Sequence, residues 1–203
     1  AMDVMVDEAT EDITKMAAMS PSETTYFDTS VAAHAKHRIA WLLILMFSST
    51  ITGSIITKYK NAFAAIPLLV SFIPMLMDTG GNCGSQSSTL IIRGIALGEI
   101  RFSDLFRVMF KEFRVSLIVG VVLALANGLR ILIMYRNAGL ALVIGLSLVA
   151  TVIISKLIGC LLPLFAKKLH MDPAIMASPL ITTLVDTCSI LIYFNIATRI
   201  FQL

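Results

Sequence analysis

The sequence predicts an all-α integral membrane protein with five transmembrane helices per subunit. Three observations carry that prediction. The 203 residues are 57% hydrophobic and only 14% charged, against roughly 25% charged residues in soluble domains. The apolar residues fall in runs of about 20, the length a helix needs to cross roughly 30 Å of hydrocarbon; a β-barrel would show short alternating segments instead. The small net charge of +3 sits between the runs, where bases meet lipid headgroups rather than nucleic acid.

Residues 1–37 are polar. Asp7, Glu8, Glu11 and Asp12 dominate the start, unlike the basic opening of a signal peptide. Ser20-Pro21-Ser22-Glu23 has the form of a helix start, with Ser20 as cap, Pro21 in the first turn and Glu23 closing a capping box. That helix is expected to end near Arg38, where His34, Lys36, His37 and Arg38 read as a basic membrane flank rather than a metal pair. The first span is 39–57, led by Trp41. The second segment, 62–93, holds about 32 residues, or about 48 Å if fully helical. That is too long for one straight crossing, so bends are expected at Pro67, Pro74 and Gly80-Gly81.

A charged loop over 93–114 follows, in which Ser103-Asp104 opens a short surface helix. The remaining spans are 115–135, 138–164 and 173–200, the last introduced by the capping pair Asp172-Pro173. With five spans the termini lie on opposite sides. Lys36, Arg38, Arg93, Arg101, Arg107, Lys111, Arg114, Lys167 and Lys168 fall on one side, and Lys58, Lys60, Arg136 and Arg199 on the other. The positive-inside rule then places the N-terminus in the cytosol and the C-terminus outside, in a multi-pass protein of the cell (inner) membrane. Cys83, Cys160 and Cys188 all fall within spans and are read as small packing residues, since their number is odd and no metal-ligand spacing is present.

Two spans carry polar stripes. In the last, Ser178, Thr182, Asp186, Ser189 and Tyr193 recur at helical spacing and share one face. Pro179 is expected to free the carbonyl of Ile175. Asp186 lies about 20 Å along the helix from Asp172, and a carboxylate at that depth costs at least about 2.5–3.5 kcal/mol. Water, a cation or a buried base must compensate, and Lys156 is the one base read within a span. An ion pathway or an Asp186–Lys156 pair satisfies that requirement, and a protonated Asp186 bonded to a neighbour avoids it. In the second segment Ser71, Asp78, Asn82, Ser85, Thr89 and Arg93 form a matching stripe. Glycines 80, 81 and 84 allow backbone carbonyls to face a lumen. Carboxylates, carbonyls and hydroxyls together make a hard-oxygen site, suited to Mg²⁺ or Ca²⁺, and few direct carboxylates suit an ion that keeps its waters. Asp78-Thr79-Gly80 matches the aspartic-protease tripeptide, but that chemistry needs two adjacent carboxylates in β loops. The three histidines lie far from any nucleophile serine. No enzyme activity is expected.

Pro74-Met75-Leu76, Gly80-Gly81-Asn82-Cys83-Gly84-Ser85-Gln86, Arg93-Gly94 and Gly98-Glu99 resemble the signature of the MgtE magnesium channel family. So do Asp172-Pro173-Ala174, Pro179, Thr182-Thr183 and Asp186. The resemblance covers about residues 20–203. It implies a homodimeric, Mg²⁺-selective channel lined by the second and fifth spans of each subunit, with Mg²⁺ both bound and transported. By that resemblance Asp186 holds hydrated Mg²⁺, and Gly81, Gly84 and Thr182 supply backbone carbonyls. Asn82 belongs to the same motif, and Asp172 is the acidic residue of the cytosolic mouth. Asp78, Ser85, Ser178 and Ser189 are the expected further pore-lining residues, and Ser178 stands where some members carry an amide. The resemblance also reads 1–19 as the remnant of a cytosolic CBS domain behind an expression remnant at Ala1, 20–38 as the connecting helix and 39–203 as the pore domain. The resemblance further implies other cytosolic sensing domains, which are expected to lie outside these 203 residues.

Two other classes stand beside the channel. One is a secondary carrier, either a Na⁺/Mg²⁺ exchanger or a broader carrier of Ca²⁺, Mn²⁺ and Co²⁺, since broken helices near the midplane also mark carriers. The other is a membrane scaffold, which leaves both polar stripes and Asp186 unexplained.

Overall fold

The computed structural model describes residues 10–11, 13–17, 19, 26–176 and 178–202, and these are helical with no strand. Ser30 caps the first long helix, α1 (Val31–Lys58), its side chain accepting from the Ala33 amide. The helix passes Arg38 without a break, so it holds the end of the expected connecting helix and the expected first span in one element. The expected start at Ser20–Glu23 lies outside the described residues, apart from Met19 before it. A short helix α2 (Lys60–Ala65) leads to a 3₁₀ turn over Pro67–Phe72.

Helix α3 (Ile73–Ala96) is continuous. Pro67 ends α2 as expected, but Pro74 sits in the first turn of α3, where no amide partner is lost. The expected bend at Gly80-Gly81 is not there. Both glycines are buried within the helix, where packing outweighs their weak intrinsic helix preference.

The expected loop over 93–114 is also largely helical. After a 3₁₀ turn at Phe102–Asp104, α4 runs from Leu105 to Tyr135 as one helix. Asp104 accepts from the Arg101 amide and fixes that entry. Arg136 closes α4 in the left-handed conformation. Asn137 then caps α5 (Ala138–Lys168), which carries Pro163 inside. Asp172 accepts from the Ala174 amide at 2.9 Å and caps the turn Pro173–Met176. Helix α6 (Ser178–Phe201) follows. Pro179 thus lies in the first turn of α6, and the expected freed carbonyl within a helix does not arise.

Helix α5 is the central element and packs against α3, α4 and α6, while α1 packs on α6 from outside. Large apolar side chains close the bundle at both ends. One cluster joins Leu69, Phe72, Leu76, Ile131, Ile144, Tyr193 and Phe194; the other joins Ile91, Cys160 and Leu164. Between them the interior is small and polar: Gly80, Gly81, Gly84, Ser87, Thr151, Ser155 and Ser189 are buried. Among the described residues, four helices are long and apolar enough to cross a membrane, namely α1, α4 with its leading turn, α5 and α6. Helix α3 is not among them, because its polar stripe lowers its hydropathy.

Candidate functional site

The site is built where α3 meets α6. The contacts run antiparallel and are made by glycine. A Cβ at Gly80 would meet Val185, Thr151 and Ser189 at 2.7–3.0 Å; one at Gly81 would meet Thr182 at 2.9 Å; one at Gly84 would meet Ile181 at 2.6 Å. The glycines therefore let α3 approach both α5 and α6, and the helix runs unbroken across them. Against the expectation for Gly84, its carbonyl lies against Gly159 of α5.

With the glycine face turned inward, the opposite face of α3 turns out. Asp78, Asn82, Gln86, Thr89 and Arg93 are all exposed, at steps of 4, 4, 3 and 4. Asp186 is half-buried on α6, one turn beyond Thr182. The Thr182 and Thr183 hydroxyls both donate to the Pro179 carbonyl, at 2.9 and 2.8 Å. These bonds hold their side chains to the start of α6. Ser85 is half-buried. The structure thus sets Gly81 against Thr182, with Asp78 and Asn82 on the exposed face of α3 and Asp186 one turn further along α6.

Other expected site residues lie elsewhere. Ser189 is 1% exposed and Tyr193 fully buried. Ser189 faces Gly80, and the Tyr193 hydroxyl donates to the Leu69 carbonyl at 2.8 Å. The lower part of the α6 stripe is therefore interior packing. The Ser178 side chain lies outside the described residues. Asp172 is separated from Asp186 by a 3₁₀ turn and two turns of α6. It pairs with Lys15 at 2.7 Å, and Lys15 pairs also with Glu11 at 2.6 Å. Burial pushes the Asp172 carboxyl up. Hydrogen bonds from Lys15 and the Ala174 amide, with the charges of Lys15 and Lys167, outweigh that and hold it below its ordinary value.

Lys156 does not pair with Asp186. Its ammonium donates to Ser87 at 3.3 Å, Ser87 donates to Glu112 at 2.6 Å, and Lys156 and Glu112 are 3.9 Å apart. All three are buried. This cluster ties α3 to α4 and α5, and leaves Asp186 without a counter-base in the described interior. The sequence reading missed Glu112 by placing it in a loop. The signal was present: Leu105, Val108, Glu112 and Ser116 recur at steps of 3, 4 and 4, the stripe of an inward helix face. Arg130, in the second half of α4, is a further base within a span and was also missed. It donates to Asn127 at 3.0 Å. Thr52 of α1 shares a 2.8 Å hydrogen bond with Thr187, next to Asp186. Among the described residues, no three His, Cys, Asp or Glu side chains converge as a metal cluster.

A family model described as a divalent cation transporter, MgtE, matches residues 73–196. The chain is 40% identical over 197 residues to the magnesium transporter MgtE of Bacillus subtilis (strain 168), covering 97% of this chain and 43% of that protein. It is 36% identical over 203 residues to the magnesium transporter MgtE of Thermus thermophilus, covering 99% and 44%. For that of Enterococcus faecalis the identity is 33% over 197 residues, covering 97% and 43%. The chain spans less than half the length of these relatives.

Proposed function

The chain belongs to the MgtE divalent cation transporter family, and from that premise we propose that it forms a Mg²⁺-conducting pore between two copies of itself. The observation that carries this reading is the outward polar face of α3. A charged and amide-bearing face on a membrane helix does not turn to lipid, because each such group there costs several kcal/mol. Asp78, Asn82, Gln86 and Thr89 therefore require water and a second protein wall. A two-fold axis beside α3 and α6 supplies both, setting each Asp186 opposite its mate. In this arrangement α3 is the fifth crossing, about 36 Å long for its 24 residues. The end bearing Arg93, Arg107, Lys111, Lys167 and Lys168 lies in the cytosol by the positive-inside rule.

Mg²⁺ enters as cargo. Two facing carboxylates repel one another, and a dication between them relieves that repulsion better than a monovalent ion. Mg²⁺ keeps most of its waters, so Asp186, Asp78, Asn82 and the Gly81 and Thr182 carbonyls act on its hydration shell. Gly84 holds α3 to the bundle. An inside-negative potential contributes about 2.3 kcal/mol per charge per 100 mV, roughly twice that for a dication, so influx needs no ATP.

The test is flux into liposomes over Mg²⁺, Ca²⁺, Mn²⁺ and Co²⁺, wild type against Asp186→Ala. Loss of divalent flux in the variant is expected. Mg²⁺ uptake at the wild-type rate takes Asp186 out of the mechanism.

A further inference from the structure

The first turns of α4 carry a second feature, on the face turned away from Glu112. Arg107, Lys111 and Arg114 recur at steps of 4 and 3 and are all exposed. Together with Phe110, Val115 and Ile118 they line a groove of about 430 Å³. Phe110 is 63% and Ile118 69% exposed. The Arg114 guanidinium stands 5.8 Å over the Phe110 ring. Among the described residues none of the three bases pairs with a carboxylate. Glu112, the acid between them in sequence, is committed inward to Ser87 and Lys156.

The order along the helix is informative. Arg107, Lys111 and Arg114 come first, and Val115 and Ile118 follow deeper in the span, about 16 Å from Arg107 to Ile118. That is the order of a phospholipid entering from one leaflet, charged headgroup first and acyl chain after. We propose that this groove binds an anionic phospholipid, its phosphodiester held by Arg107, Lys111 and Arg114 and its acyl chain laid against Phe110, Val115 and Ile118. Basic clusters at a membrane helix end take anionic headgroups by charge, and arginine forks match phosphate oxygens. A zwitterionic headgroup carries its own cation and loses most of that attraction. Free phosphate would use the charges and leave the apolar half of the groove unaccounted for. A second copy docked by two-fold symmetry would set three cations against three. The reading requires only that α4 crosses a membrane, and stands whether or not the pore conducts Mg²⁺.

Native mass spectrometry of the detergent-solubilised protein, with phosphatidylglycerol and phosphatidylcholine of the same acyl chains, tests it. Wild type should retain phosphatidylglycerol with at least about a tenfold preference. The exposed triple variant Arg107→Gln, Lys111→Gln, Arg114→Gln should fall to near-equal retention. The charge-preserving pair Arg107→Lys and Arg114→Lys should keep a preference, weakened by loss of the guanidinium forks, while Lys58→Gln with Lys60→Gln at the opposite end should keep it in full. Equal retention of the two lipids by wild type overturns the proposal, as does a preference that survives the triple variant. Displacement of the lipid by millimolar inorganic phosphate would reassign the groove to a free anion. Disulfide cross-linking of two copies through Ile118→Cys in a background without native thiols would reassign it to a protein contact.

Discussion

Replacing Gly159 by alanine tests the packing that turns the polar face of α3 outward. A Cβ at Gly159 would meet the backbone of Gly84, with its carbonyl carbon at 3.0 Å, its Cα at 3.1 Å and its oxygen nearer still. Ordinary contact begins at 3.4 Å. Neither partner is a side chain that can rotate away, so α3 and α5 must separate by at least about 0.4 Å, and by more for the oxygen. Overpacking of this kind costs about 1–3 kcal/mol. The shift also carries Asp78 and Asn82 outward relative to Asp186. Thermal unfolding in detergent, followed by circular dichroism, should show a lower midpoint, and Mg²⁺ flux in liposomes should fall. Gly128→Ala is the control. No atom lies within 4 Å of its added Cβ, and alanine is the better helix former by up to about 1 kcal/mol, so its midpoint should hold or rise. Equal midpoints for the two variants would refute the argument that glycine is present at 84 and 159 for close approach.

Lys156→Met leaves Glu112 buried without its counter-charge and should cost about 3–5 kcal/mol. Adding Glu112→Leu should restore much of that, and a double variant no more stable than the single would remove the pair from the account. Asp78→Asn should weaken divalent flux less than Asp186→Asn does, because Asp78 is the more exposed of the two; the reverse order in a flux assay would exchange their roles. The Lys15–Asp172 contact should depend on pH with a definite sign. The Asp172 carboxyl is held below its ordinary 3.8. Its contribution is therefore complete above that value and is lost as pH falls through the lowered one. Lys15, raised chiefly by its hydrogen bond to Asp172, stays charged past its ordinary 10.5. Cross-linking between positions 15 and 172 should be constant from about pH 5 to 9, where both groups stay charged, and a loss within that range would contradict the pairing.

The apolar runs made α1, α4, α5 and α6 legible, and Pro67 and the Asp172-Pro173 cap marked real boundaries. The stripe from Asp78 to Arg93 identified the outward face of α3 because helical spacing is a property of sequence alone. What spacing could not tell is which neighbour a face meets. Ser189 and Tyr193 share the spacing of Asp186, yet they point to Gly80 and Leu69. Glycine misled in the same way: read alone, Gly80-Gly81 suggests a bend, but against Val185 and Thr182 it permits contact and the helix stays whole. Glu112 was hidden by Lys111 and Arg114, whose charges suggest a loop when they mark only the outer face of a helix.

The claim at the centre is that the Asp78–Asn82 face of α3 is wet while the bundle sits in lipid. In a background without native thiols, a charged, water-soluble thiol reagent should label Asn82→Cys rapidly and more slowly when Mg²⁺ is present. It should leave Leu125→Cys untouched, although Leu125 is 69% exposed on α4. If Asn82→Cys resists the reagent as Leu125→Cys does, that face is dry and no ion passes along it.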